Sequence, residues 1–298
     1  MGGTKTRSLP GPRAFSPAAL LPAAELRPAP EGWEVSQIGL AVGSTFDVES
    51  SPMSSSSPAG AKPSLMSMSE VPRVLPFALF LGVGALAGKA FSGSEYWMYA
   101  AKTIGVGALL WAWRRRLPEM RWAFSGEAVW VGLGIAALWL GLSGHIPSLG
   151  RIWDLIREAT GGPAAPVPKP LEVWNPIVHF AGLPILGWGF VLIRVLGRSL
   201  VVPALEEVFY RSFMYRYIVK PEFESVAHST FHLGAFLMTS AFFGLSHTDH
   251  WLPGVICGMS YQWLVIRKGR LGDAMLAHAI TNLAISGYAI GTGRWEFS

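Results

Sequence analysis

Charge is scarce in this chain. Asp, Glu, Lys and Arg make up 14% of its 298 residues while 51% are apolar, and a soluble domain normally carries about 25% charged residues. That shortage excludes an ordinary soluble globule and points to a polytopic membrane protein. Cysteine is scarcer still. The single Cys257 excludes an intrachain disulfide framework and any cysteine-based metal cluster, and its apolar surroundings make it a small packing residue. The zinc signature H-E-x-x-H is absent, and so is a G-x-G-D aspartyl motif, because Gly272-Asp273 lacks the first glycine. No internal repeat is visible. The formal net charge of +5 does not signal nucleic acid, because Arg114, Arg115, Arg116 and Arg121 lie between two apolar runs, where positive charge reports membrane orientation.

What is present falls into two parts. Residues 1–70 are rich in Pro, Ser, Ala and Gly, with a serine run at Ser54–Ser57 and no sustained periodicity. Such a segment cannot bury enough apolar surface to offset its ordering entropy, so it is expected to be a disordered leader. Ala18–Ala24 is too short and too broken by proline for a signal-peptide core. Met66 and Met68 stand just before the first apolar run, which leaves a second reading open, that synthesis starts there and the leader is untranslated. From Val74 onward, runs of near-membrane length recur: Val74–Phe91, Trp97–Trp113, Ala128–Leu142, Ile177–Leu196, Leu200–Val219, Phe231–Leu245, Gly254–Ile266 and Leu271–Ile290. Crossing the hydrocarbon takes roughly 20 helical residues, so several of these helices are short or tilted. The expected fold over 71–298 is an all-α, polytopic membrane helical bundle of about eight transmembrane helices. The only long connection, Gly144–Glu172, is rich in Pro and Gly and is expected on the membrane surface.

Orientation follows from the cations. Arg114–Arg116 place the second connection, and with it the N-terminus, in the cytoplasm. Arg194 and Arg198, read as loop charges after the fourth run, agree. Arg267, Lys268 and Arg270 do not agree if eight full crossings are assumed, and the sequence leaves that conflict open.

The informative residues are polar ones inside apolar runs. An ionisable group at the bilayer centre costs roughly 2.5–3.5 kcal/mol on insertion scales, so a cluster of them marks a functional site. In Glu206-Glu207-Val208-Phe209-Tyr210-Arg211, residues four apart share a helical face, so Glu207 and Arg211 can pair, and Glu206 is left to face a cavity. Pro203 either starts this helix or kinks it. His247 closes the sixth run, and His278 and Asn282 share a face in the last. Two carboxylates, an arginine, two histidines and an amide supply the groups needed to activate a water and stabilise an oxyanion. The competing reading places the acids in headgroups and the histidines at interfaces. His145, His179, His228 and His232 are assigned to interfaces or packing. Gly141-Leu142-Ser143-Gly144 matches a G-x-S-G serine motif, but it ends a run beside the long loop, without an evident pocket or base.

Together E-E-x-x-x-R (Glu206, Glu207, Arg211), F-x-x-x-H (Phe243, His247) and H-x-x-x-N (His278, Asn282) resemble the CPBP family, in that family's order and over about residues 175–290. These are the type II CAAX prenyl endopeptidases and the bacteriocin-processing or self-immunity enzymes also called Abi proteins. The resemblance implies an eight-helix bundle with a water-filled cavity and an intramembrane endopeptidase acting on a membrane-associated, prenylated or signal-bearing peptide substrate. Glu206 would be the general base, helped by His247. Glu207 and Arg211 would be a supporting ion pair, and His278 and Asn282 would be oxyanion donors, commonly worth about 10²–10³ in rate each. The family is also described as metalloproteases, and Glu206, His247 and His278 could hold zinc with an open position for water. Metal-free glutamate chemistry is preferred, because no histidine pair at i, i+4 preorganises a zinc site. The expected partners are the bilayer and a peptide or protein substrate, with no nucleic acid, and the expected location is the bacterial inner (cytoplasmic) membrane. The rival functions are a non-catalytic membrane binding or immunity protein and, third, a proton-coupled transporter.

Overall fold

The apolar runs form helices that pack side by side with their ends in two layers. The computed structural model describes residues 68–86, 91–163 and 173–297; the leader up to residue 67 lies outside the described residues. Eight helices organise the structure: α1 (Val71–Leu86), α2 (Ser94–Trp113), α3 (Gly126–Leu142), α4 (Leu149–Ala159), α5 (Pro184–Val219), α6 (Leu233–Leu245), α7 (Trp251–Lys268) and α8 (Gly272–Thr292). The described residues contain no strand. α5 and α8 are long and apolar enough to cross a membrane by length and composition. Large apolar side chains cover the outside, among them Trp111, Trp130, Ile185 and Phe124, as expected of a bundle whose solvent is lipid rather than water.

Two corrections to the sequence reading concern α4 and α5. The fourth and fifth runs are one continuous helix, with a π turn at Gly197–Val201 where a connection was expected and a second π turn at Val208–Met214. Pro203 explains the first. A proline lacks the N–H that the preceding turn needs, and its ring crowds the carbonyl below it; widening the turn just upstream lets the helix run through. In the long connection the structure places α4, an amphipathic helix capped by the Ser148 hydroxyl, which accepts from Arg151 N. Its Trp153, Leu155 and Ile156 are exposed, and its charges pair within the helix, Arg157 with Asp154 (2.9 Å) and Arg151 with Glu158 (3.7 Å).

Contacts fix the helix directions. Tyr99, Thr103 and Gly107 of α2 meet Arg194, Gly197 and Val201 of α5 in increasing order, so the two are parallel. Arg73 lies over Phe223, and Phe77 stacks on Phe209 at 4.0 Å, so α1 is antiparallel to α5. Gly132 of α3 meets Ala277 and Ile280 of α8 so closely that an added Cβ would lie 2.6 Å from the Ala277 carbonyl, and Glu127 pairs with Lys268 just before α8 at 2.6 Å. α3 and α8 therefore run parallel from a common end. Gly254-Val255-Ile256-Cys257-Gly258 of α7 packs on Ser240, Phe243 and Gly244 of α6. This is the small-xxx-small pattern that lets membrane helices approach closely.

One end of the bundle is close-packed and basic. Leu117, Leu264, Val265, Leu271, Ala274 and Met275 are 0–1% exposed there. Around them Glu119 accepts from Arg73 Nε (2.8 Å) and the Ser212 hydroxyl (2.7 Å), while Arg216 donates to the Phe223 carbonyl. Burial pushes the Glu119 carboxyl up, but the Ser212 bond and the Arg73 charge outweigh it and hold the group below the ordinary carboxylate range. His228 is pushed down to about 4 by burial and by Arg216. Arg121 and Arg270 border one shallow depression at this end.

Candidate active site

Between its two π turns α5 carries Glu206 and Glu207. Glu207 faces inward and is fully buried; its Oε1 accepts from Arg211 Nη1 at 3.2 Å and from His278 Nδ1 at 2.9 Å. The i, i+4 pairing read from the sequence is therefore present, and the histidine 71 residues away completes it as a triad. The Arg211 guanidinium is clamped elsewhere by the Gly258 carbonyl (3.4 Å) and by the Phe243 ring, 4.4 Å from its centroid. The close α6–α7 approach supplies both contacts. With Arg211 as its ion-pair partner Glu207 is an acceptor, so the His278 proton sits on Nδ1 and Nε2 is the nitrogen left for the cavity. Tyr261 stacks on the His278 ring at 5.1 Å.

Glu206 points the other way. It lines a cavity of about 270 Å³ together with His247, His278, Asn282, Trp139 and Phe243. Its Oε2 is sealed from bulk solvent and has no hydrogen-bond partner among the described residues. His247 enters from the end of α6. Its Nδ1 lies 2.8 Å from the Phe243 carbonyl, which can only accept, so Nδ1 carries the proton and Nε2 is the acceptor in the neutral ring. Phe243 and Trp139 flank that ring at 4.9 and 5.4 Å.

Asn282 has a task the sequence did not reveal. Its Nδ2 donates to the Arg198 carbonyl at 2.8 Å. In a π turn that carbonyl would bond the amide five residues on, which is Pro203 and has no N–H. Asn282 supplies the missing donor, locks α5 to α8, and keeps its second N–H and its carbonyl. Neighbouring Thr281 accepts from Tyr261 Oη (2.7 Å) and lies 2.9 Å from the Gly132 carbonyl.

Arg194 and Arg198 were misread. They are not loop charges after a span; both line the cavity from within α5. Arg198 donates to the Phe297 carbonyl at 2.7 Å, and the Arg194 guanidinium lies 4.2 Å from the Trp174 ring centroid. The signal that could have found them is the recurrence of Arg194, Arg198 and Glu206 within one apolar segment once the helix is taken as continuous.

The remaining candidates have separate places. Ser143 of the G-x-S-G match does have a histidine beside it, His250 Nδ1 at 3.4 Å, but its hydroxyl donates to the Trp139 carbonyl and neither residue lines the cavity. His232 caps α6, accepting from Ala235 N, and His179 packs on Tyr96 and Phe180. Glu206, His247 and His278 share the cavity walls, yet among the described residues no three of His, Cys, Asp and Glu form a group able to hold a metal ion.

Residues 187–284 match the Rce1-like family model, described as type II CAAX prenyl endopeptidase Rce1-like. All six of Glu206, Glu207, Arg211, His247, His278 and Asn282 fall inside the matched segment. No curated protein and no solved structure matches the chain. The match, with the two long apolar helices, marks an integral membrane protein and supports a CAAX-type intramembrane protease acting on a peptide or protein substrate.

Proposed function

From the family match we propose that this chain is an endopeptidase that hydrolyses a peptide bond inside the membrane with a glutamate-activated water. The observation that carries the reading is the half-buried Glu206 at the wall of a cavity shared with His247, His278 and Asn282. A water held between Glu206 and the acceptor Nε2 of His247 loses a proton to the Glu206 carboxylate as its oxygen attacks the scissile carbonyl carbon. The developing oxyanion is met by the second N–H of Asn282, while His278, held at Nδ1 by Glu207, presents Nε2 to the cavity beside it. Glu206 then returns its proton to the leaving amine as the C–N bond breaks. Arg211 neutralises Glu207 and fixes its orientation, so the His278 ring is positioned before substrate arrives. The region 71–298 is the membrane bundle in this reading.

The decisive experiment replaces Glu206 by Gln, which keeps shape and removes the base. Cleavage of a co-expressed membrane substrate should vanish while the purified variant keeps the unfolding midpoint of the wild type. Undiminished cleavage by Glu206→Gln would refute the mechanism.

A further inference from the structure

The cavity reaches only one end of the bundle, and that end is opposite the basic loops. Glu206, His278 and Cys257 form its floor. The other wall residues lie level with that floor or on the side away from the close-packed end: Asn282 and Ile285 later on α8, Trp139 near the end of α3, Tyr99 near the start of α2. On α5 the lining runs back to Arg194, twelve residues and about 18 Å at 1.5 Å per residue. Beneath the floor, Glu207, Arg211, Leu264 and Met275 are 0–1% exposed and leave no opening.

The charges orient the ends. Because the fourth and fifth runs are one helix, α2, α5 and α7 finish at the same end, where α1, α3, α6 and α8 begin. Arg114–Arg116 and Arg121 lie in one connection at that end and Lys220 in the next, while Arg267 and Lys268 close α7 and Arg270 follows in the third. The conflict raised by eight crossings therefore disappears. At the opposite end Arg151 and Arg157 lie on α4 and Arg294 follows α8, and the sequence between the helices adds Lys89 and Lys169, five cations against eight. An excess of Lys and Arg in short connections marks the cytoplasmic side.

We infer that the cavity opens on the non-cytoplasmic face, so that the substrate is a membrane-anchored polypeptide whose scissile bond lies at the outer boundary of its anchor, not a peptide offered from the cytoplasm. The amphipathic α4 lies on the same face, and Pro147 just before it accepts from Trp251 Nε1 at 3.1 Å beside the turn that carries His247. This places an apolar helix surface at the depth where such a substrate leaves the lipid. The inference rests on the protease reading for its substrate and on geometry and charge alone for its orientation.

Two measurements separate these. Exposed Thr248 and Thr160 at the cavity end and exposed Ser229 at the basic end are replaced singly by Cys and treated in intact cells with a membrane-impermeant maleimide, with wild type, whose Cys257 is buried, as the blank. Thr248→Cys and Thr160→Cys should label in intact cells, and Ser229→Cys only after permeabilisation. The reverse pattern overturns the orientation whatever the chemistry. Two single-span reporters then carry an extended segment at the outer or the inner end of their anchor. Cleavage that depends on Glu206 should be confined to the outer reporter. Glu206-dependent cleavage of the inner reporter alone overturns the substrate class but leaves the protease standing. Cleavage of neither reporter, or cleavage that survives Glu206→Gln, removes the protease reading and the substrate with it, while the labelling still decides which way the cavity faces.

Discussion

Replacing Glu207 by Gln tests whether the centre of this bundle is held by a charge pair or merely by packing. The carboxylate and Arg211 are both fully buried, 3.2 Å apart, and Glu207 is the only acid within ion-pair distance of that guanidinium among the described residues. The Gln amide is nearly isosteric and can still accept from His278 Nδ1, so little packing changes. The loss is electrostatic: a guanidinium out of contact with bulk water keeps a backbone carbonyl and an aromatic face but no counter-charge. Removing one partner of a buried pair costs about 3–5 kcal/mol, whereas replacing both by neutral groups is often close to neutral. At roughly 2–4 °C per kcal/mol for a domain of this size, the single variant should lose about 6–20 °C. Arg211→Met should lose a similar amount, and the double variant should be no less stable than either single variant, a coupling of about 3–5 kcal/mol. The assay is unfolding of the four proteins in one detergent, followed by helical circular dichroism. A Glu207→Gln loss below about 1 kcal/mol, or a double variant as unstable as the two losses added, would refute a charged pair at this position.

Asn282→Ala should lower kcat by about 10²-fold with KM nearly unchanged, as for a donor used mainly in the transition state; a change confined to KM would place the amide in substrate binding. Because the Cβ of Gly258→Ala would stand 3.0 Å from Ser240 Cα and 3.3 Å from Phe243 Cβ, that substitution should cost about 1–3 kcal/mol and displace the His247 carrier, read as a joint fall in stability and cleavage rate. Acid should weaken the basic end in a defined window. His228 stays neutral in the fold down to about 4 while its unfolded counterpart takes up a proton near 6.5, so the unfolded chain binds more protons between those values and stability falls as pH is lowered through them. Glu119 acts in the same direction at lower pH, its contribution present above 4.5 and lost as pH falls through its lowered folded value. Stability measured from pH 7 to 4 should show the decline, and His228→Gln should flatten its upper part.

The helices that the sequence announced best are those whose ends carry ordinary punctuation. Ser125 caps α3, accepting from Ala128 N, and Gly269 at φ 65° ends α7, so the apolar runs there end within a few residues of the real helices. The segment 177–219 was legible as apolar but not as one piece, because hydropathy cannot distinguish a polar residue in a loop from one aimed into a cavity. Gly197, Arg198 and Ser199 look like a connection, yet Gly197 and Ser199 are buried and Arg198 lines the site. α4 was missed for the opposite reason: its apolar residues occupy one face of a charged helix and never form a run. Within the site, contacts that follow helical spacing were readable, such as Glu207 with Arg211. The Glu207–His278 bond and the Asn282–Arg198 bond join distant segments, and only the packed structure brings them together.

The π turn upstream of Glu206 also sets an angle. An α-helix advances about 100° per residue, so over the twelve residues from Arg194 to Glu206 a regular helix would leave the two side chains roughly 120° apart around the axis. A π turn behaves as a single-residue insertion and absorbs about one such step, which brings Arg194, Arg198 and Glu206 to within some 20° of a common bearing. The helix is in effect cut to two phases joined by a one-residue vernier, and Pro203 holds the vernier at its setting. Removing one residue from Gly197–Val201 would leave a regular helix of eleven steps and the same bearing, whereas tightening the turn to α without a deletion would swing the arginines about 100° away from Glu206. The alignment of cation and carboxylate along this cavity is therefore carried by the width of one turn.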